Sequence, residues 1–125
     1  MALPARIKRF FLFNEVVGTA CADASGSGLS LAFGASTAAP TWTPSSPAGL
    51  DVPDSGYSVL FDGANDTLAG SDSGLPSGTA ARTIGCWVKR SASPATDAVP
   101  MGYGAEVANQ YCGFVVTTTG VCKGT

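Results

Sequence analysis

The stretch YSVLFDGANDTLAG, residues 57 to 70, sets Tyr57, Val59 and Phe61 on one face of an extended run, breaks it with an Asp-Gly pair, and resumes with a short apolar segment. Alternation at a period of two marks a strand with one covered face. Glycine supplies the positive φ that a tight turn needs, and aspartate accepts hydrogen bonds from nearby backbone N–H groups. The stretch reads as strand, turn, strand, and the chain on either side repeats that theme.

Upstream, RFFLFNE (9–15) predicts a first strand, with Phe11 and Phe13 on one face and Phe10 and Leu12 on the other. After the turn cluster DASGSG (23–28), LSLAFG predicts a second, aligning Leu29, Leu31 and Phe33. Asp23 with Ser25 reads as a turn that satisfies its own backbone. Residues 35–56 hold Pro40, Pro44, Pro47 and Pro53, and proline lacks the N–H of a ladder, so they read as a long loop anchored by Trp42. Downstream, RTIGCWVKR (82–90) carries the clearest alternation, Ile84, Cys86 and Val88 against Thr83, Gly85, Trp87 and Lys89. VPMGYG and QYCGFVVTTTG each predict one more strand, and no segment sustains helical spacing.

About seven short strands divided by loops predict an all-β, antiparallel β-sandwich or jelly roll. With 125 residues the chain is expected to form one domain, 1–125, around one core. The period-two faces put Phe11, Phe13, Leu31, Val59, Phe61, Ile84, Val88 and Phe114 in that core, and Trp87 against it. The composition agrees: 45% hydrophobic, 13% charged, 16 Gly and 8 Pro suit short strands and many turns, and are too apolar for disorder.

A net charge of -2 argues against nucleic acid as the main partner, because neutralising phosphates takes a basic surface; the only basic cluster is Arg6, Lys8 and Arg9. That cluster precedes FFLF, but Asn14 and Glu15 end the apolar run, so no signal peptide is read. No stretch approaches the roughly 18 apolar residues of a membrane span. The expectation is a soluble chain or one component of a cytoplasmic assembly. Cys21, Cys86, Cys112 and Cys122 form no CxxC pair and the chain has no histidine, which disfavours a zinc site. Thiols in a reducing cytoplasm are expected, with Cys112 and Cys122 the pair that would bridge after release from the cell.

Without histidine there is neither a Ser-His-Asp triad nor a Cys-His pair. Glu15 and Glu106 are the only glutamates, and neither has a carboxylate two residues away. No enzyme is expected.

FNEVVGTACADASGSG, SVLFDGANDTL and RTIGCWVKR, in this order, resemble the first half of a laminin-G-like domain of the concanavalin A-like lectin/glucanase superfamily. The matching positions are Phe13, Glu15, Gly18, Asp23, Ser25, Gly26, Phe61, Asp62, Gly63, Trp87, Val88 and Lys89. The likeness covers residues 9–90 well and 99–120 loosely. It implies a concanavalin A-like jelly roll, and since such domains serve as appendages of phage virions, it implies a non-catalytic structural, decorating or attachment module. The alternative that it implies is a lectin-like carbohydrate-binding module. The Glu-x-Asp-x-Glu of the superfamily's glycosidases is absent. Domains of this family run longer, so a chain ending at Thr125 is expected to leave a strand edge unpaired and to be stable as a homo-oligomer or inside a larger particle, with the C-terminal third and Arg6 to Arg9 near the contacts.

Two readings of DGAND stand at this point. Asp62, Asn65 and Asp66 could give oxygens to calcium, which takes roughly six to eight, or the loop is a turn and nothing more. The aromatics Trp42, Tyr57, Tyr103 and Tyr111 are candidate stacking platforms for a sugar ring; otherwise they anchor loops on the core.

Overall fold

A computed structural model describes residues 7–44, 56–90, 92, 96–104 and 111–124. Arg6, Pro47, Pro53 and Glu106, singled out above, lie outside the described residues. The regular structure is strand: β1 (Ala20–Ala22), β2 (Ser30–Phe33), β3 (Thr41–Thr43), β4 (Ser58–Leu60), β5 (Leu68–Ala69), β6 (Ala98–Tyr103), β7 (Cys112–Val116) and β8 (Cys122–Gly124). One short 3₁₀ turn, Ser36–Ala38, is the exception. The protein is all-β, in small antiparallel sheets. The chain groups into two compact units, Met1–Ser73 and Gly74–Thr125.

The first unit holds a three-stranded sheet in the order β1-β2-β5 and a two-stranded ribbon of β3 and β4. DASGSG forms the turn that its composition predicts. Gly26 and Gly28 sit at φ 89° and 74°, where a side chain would be strained, and the Asp23 N–H donates to Leu29 O at 3.0 Å. The turn sets the register Cys21 opposite Leu31. At the other end of β2, Gly34 is fixed by crowding: a Cβ there would lie 2.1 Å from Ala38 O. That approach lets the Gly34 N–H reach Thr67 O and the Thr67 N–H reach Ala38 O, at 2.9 and 3.1 Å, which delivers β5 to β2.

β3 corrects the reading of residues 35–56 as loop. It lies between Pro40 and Pro44 and pairs Trp42 with Val59 of β4. Proline at its borders is compatible with this strand, which among the described residues has one neighbour. The Trp42 ring stands 5.3 Å from that of Phe33, and its indole N–H donates to Gly18 O at 3.0 Å, so this side chain ties the ribbon to the first sheet.

Residues 9–15 do not form the expected first strand. Only Phe11 bridges, to Asp23, and the left-handed backbone of Phe13 and Val16, at φ 56° and 68°, ends any extension. The DGAND turn is likewise no hairpin. It leads from β4, which pairs with β3, to β5, which pairs with β2.

The second unit is the sheet β6-β7-β8. A bulge between Ala98 and Met101 precedes the pair Gly102 and Gly113, over which the Tyr111 ring lies so closely that a Cβ at either glycine would meet its hydroxyl oxygen at 2.3 or 2.7 Å. β7 and β8 are joined by a turn in which the Thr117 N–H donates to Val121 O at 3.0 Å and Gly120 takes φ 84°. The register opposes Cys122 to Val116, four residues along β7 from Cys112.

The clearest strand signal, residues 82–90, belongs to no strand or bridge. The Arg82 guanidinium donates to Ala80 O at 3.1 Å and to Gly78 O, and stands 5.9 Å from the centre of the Tyr103 ring. These contacts commit the start of the segment to the 76–80 loop. Trp87 and Val88, expected inside, are 76% and 51% exposed. Phe61 is also exposed, while Phe11, Phe13, Leu31, Val59, Ile84 and Phe114 are half-buried. The apolar side chains that are truly buried among the described residues are Cys21, Pro40 and Val116.

Candidate functional site

Where the ribbon ends, a groove of about 310 Å³ opens beside the DGAND turn. Its walls are Ser36, Thr37 and Ala39 from the 3₁₀ turn, Thr41 of β3, Leu60 of β4, and Phe61, Asp62 and Asp66. Each arrives for a local reason. Thr41 and Leu60 face each other as a cross-strand pair. Ser36 stands at φ 54°, an uncommon backbone for a residue with a Cβ. Phe61 continues the extended line of β4 until Gly63, at φ 78°, turns the chain.

The turn is closed by its own carboxylates. Asp62 Oδ1 accepts from the Ala64 and Asn65 N–H groups at 2.8 and 3.4 Å, and Asp66 Oδ2 accepts from the Asp62 N–H at 2.7 Å. The Asn65 side-chain amide donates to Thr37 Oγ1 at 3.4 Å, fastening the turn to the opposite wall. No hydrogen bond among the described residues reaches Asp62 Oδ2 or Asp66 Oδ1. The structure therefore brings Asp62, Asn65 and Asp66 together, and two of their oxygen atoms already hold the loop. No group of three or more His, Cys, Asp or Glu among the described residues is placed to hold a metal ion. The groove offers an aromatic ring, hydroxyl groups and negative charge, which is chemistry for hydrogen bonding, stacking and attraction of cations.

The four candidate aromatics are not gathered at this groove. Trp42 is half-buried on β3 with its N–H occupied, and Tyr57, also half-buried, precedes β4 by one residue. Tyr103 and Tyr111 belong to the second unit. The Tyr103 hydroxyl donates to Pro76 O at 3.0 Å, and Tyr111 covers the glycine pair. Phe61, Thr37 and Thr41 line the groove in their place. The period-two face predicts Phe61 in the core, and the signal for its exposure is its position directly before Asp-Gly, where a strand is leaving its sheet.

A second polar node lies at Asp23, whose side chain is fully enclosed. Its Oδ1 accepts from the Phe10 and Ser25 N–H groups at 2.9 and 2.8 Å; its Oδ2 accepts from the Ser25 hydroxyl at 2.7 Å and from the Ser27 hydroxyl. Arg9 Nε approaches Oδ2 at 3.9 Å. Burial alone would push this carboxyl up, but the hydrogen bonds from Ser27, Phe10 and Ser25 outweigh it and hold the group well below the usual carboxylate range. Nearby, Glu15 Oε1 accepts from the Ala22 N–H at 2.6 Å. Burial, and then the charge of Glu15, push the Cys21 thiol up to about 12. The node is a structural clamp that holds the N-terminal segment to the turn.

No protein-family model, curated protein or solved structure matches the chain.

Proposed function

We propose that this protein is a non-catalytic structural or attachment module that completes its packing on other subunits of a larger assembly, such as a phage virion. The observation that carries this reading is the distribution of apolar surface. Cys21 and Val116 are buried, whereas the neighbours Leu60 and Phe61 in the first unit, and the neighbours Trp87 and Val88 with Val99 and Val121 in the second, are exposed, and large apolar side chains left in water mark surfaces that other proteins cover. Among the described residues no further strand pairs with the β3–β4 ribbon, which points the same way, because unpaired strand edges invite pairing. We read the small sheets as parts of a laminin-G-like, concanavalin A-like sandwich, on the motifs at 13–26, 61–63 and 87–89. The lack of histidine and of a paired-glutamate motif supports a role without catalysis. Sedimentation velocity on the purified chain tests the reading. A concentration-dependent oligomer is expected; a monodisperse monomer at every concentration would overturn it.

The groove favours a second reading, a lectin-like module. Phe61 beside hydroxyl and carboxylate groups could stack on and hydrogen-bond to a sugar, and Asp62 and Asp66 could recruit calcium to it. Glycan-array binding that disappears in Phe61→Ala would establish this role; an array without signal, with and without calcium, would remove it.

A further inference from the structure

Residues 82–90 form the most strand-like stretch of the sequence and no part of a strand. Their end presents Trp87, the most exposed of the large apolar side chains described, then Val88, then the exposed cations Lys89 and Arg90, the Arg90 guanidinium lying beside Gly120. An indole left in water forgoes the burial that makes tryptophan an anchor at interfaces. The chain also carries a receptor of complementary character. The groove at the end of β3 and β4 is about 310 Å³, at the lower end of the range that takes a small ligand and so of a size to take a side chain. Leu60 and Phe61 give it an apolar lining, and Asp62 and Asp66 give it negative charge.

We propose that the segment 82–90 of one copy docks on the β3–β4 end of a second copy, with the Trp87 indole in the groove and Lys89 and Arg90 against Asp62 and Asp66. This rests on the assembly reading and names its contact. Charge selects the pairing. Two such ends laid against each other would bring the Lys89 and Arg90 cations of one copy onto those of the other, and like charges across a contact are destabilising. Against the DGAND turn the same cations meet opposite charge, around an aromatic anchor, the arrangement in which few residues carry most of the binding. The two patches are different surfaces, so the contact is heterologous and repeats from copy to copy around a ring or along a filament.

The test mixes unlabelled and isotopically labelled chains at a concentration where they associate and applies a zero-length carbodiimide, which joins an amine to a carboxylate only in contact. Lys89 is expected to cross-link to Asp62 or Asp66 in pairs that combine a light and a heavy chain. Trp87→Ala and the double variant Lys89→Glu with Arg90→Glu are each expected to weaken association, read by sedimentation, by about tenfold or more. Asp62→Asn with Asp66→Asn keeps an acceptor for each turn N–H and is expected to weaken association and remove its salt dependence. Circular dichroism of the dilute variants should match that of the parent. Cross-links confined to one isotope would place the contact within a chain and overturn the proposal. Association that survives all these variants, with no such cross-link, would overturn the contact and leave the assembly reading standing. A chain that never associates removes both.

Discussion

Asp23 gathers the amides of Phe10 and Ser25 and the hydroxyls of Ser25 and Ser27 onto one enclosed carboxylate, and so joins residues 8–11 to the turn between β1 and β2. Because its folded pKa lies below the unfolded value, its contribution to stability is present in full above about pH 4 and fades as pH falls below that value. The melting temperature should therefore fall steadily as pH drops below about 4, and Asp23→Asn should flatten that slope while lowering stability at neutral pH. Asp23→Ala leaves several donors without an acceptor and is expected to cost about 1–3 kcal/mol, measured by urea unfolding at neutral pH. An unchanged midpoint would mean that the clamp is ornamental. Cys21, with its thiol buried and pushed up to about 12, should resist a thiol reagent at mildly alkaline pH until the protein unfolds. Local chemistry of this kind was readable in advance. Asp, Ser and Gly within DASGSG specify a self-satisfied turn over a few residues, and the structure makes that turn.

At the scale of elements, the sequence was readable where the partner is near and misleading where it is not. LSLAFG, YSVLF, DTLAG and QYCGFVVTTTG all contain strands at the expected places, each bounded by turn residues that fix its ends. β3 was hidden because its flanking prolines exclude a central strand but permit one with a single neighbour. RTIGCWVKR erred in the other direction. Alternation says that a segment could cover a face, whereas a strand exists only when another edge accepts its hydrogen bonds, and that edge is not encoded locally. The DGAND turn was legible as a turn, but its leading from one sheet to another was not, and neither was the groove, since Ser36, Thr37 and Thr41 come from a segment read as loop. A turn closed by its own carboxylates needs no ion, so millimolar calcium should leave the melting temperature where a chelator leaves it; a rise abolished by Asp62→Asn with Asp66→Asn would instead establish a calcium site. In β6 and β7, Gly102→Ala and Gly113→Ala would each drive a methyl group into the Tyr111 ring, at a cost of about 1–3 kcal/mol. Tyr111→Ala should make either glycine replacement nearly neutral, and a double-mutant cycle without that coupling would remove the ring from the glycine pair.

For the whole molecule, the decisive quantity is the apolar surface that folding leaves outside. Residues expected in a core, Phe61 and Val88 among them, are exposed, as is Trp87, and the buried apolar set among the described residues comes down to Cys21, Pro40 and Val116. Hydrophobic burial is the main term that offsets the entropy of ordering a chain, so surface left in water is stability not yet realised. If subunits supply that cover for one another, unfolding is linked to dissociation and the apparent stability rises with concentration. Each tenfold increase then adds about 1.4 kcal/mol to the free energy of unfolding, once the concentration exceeds the dissociation constant. For a chain of this length that is a rise in melting temperature of roughly 3–6 °C for each tenfold step. Trp87→Ala should flatten the dependence, because it removes the anchor from the contact while its own side chain, 76% exposed, has little to lose within the chain. A melting temperature that stays constant over a hundredfold range of concentration would show that each copy is stable by itself, and would detach the exposed apolar side chains from any role in assembly.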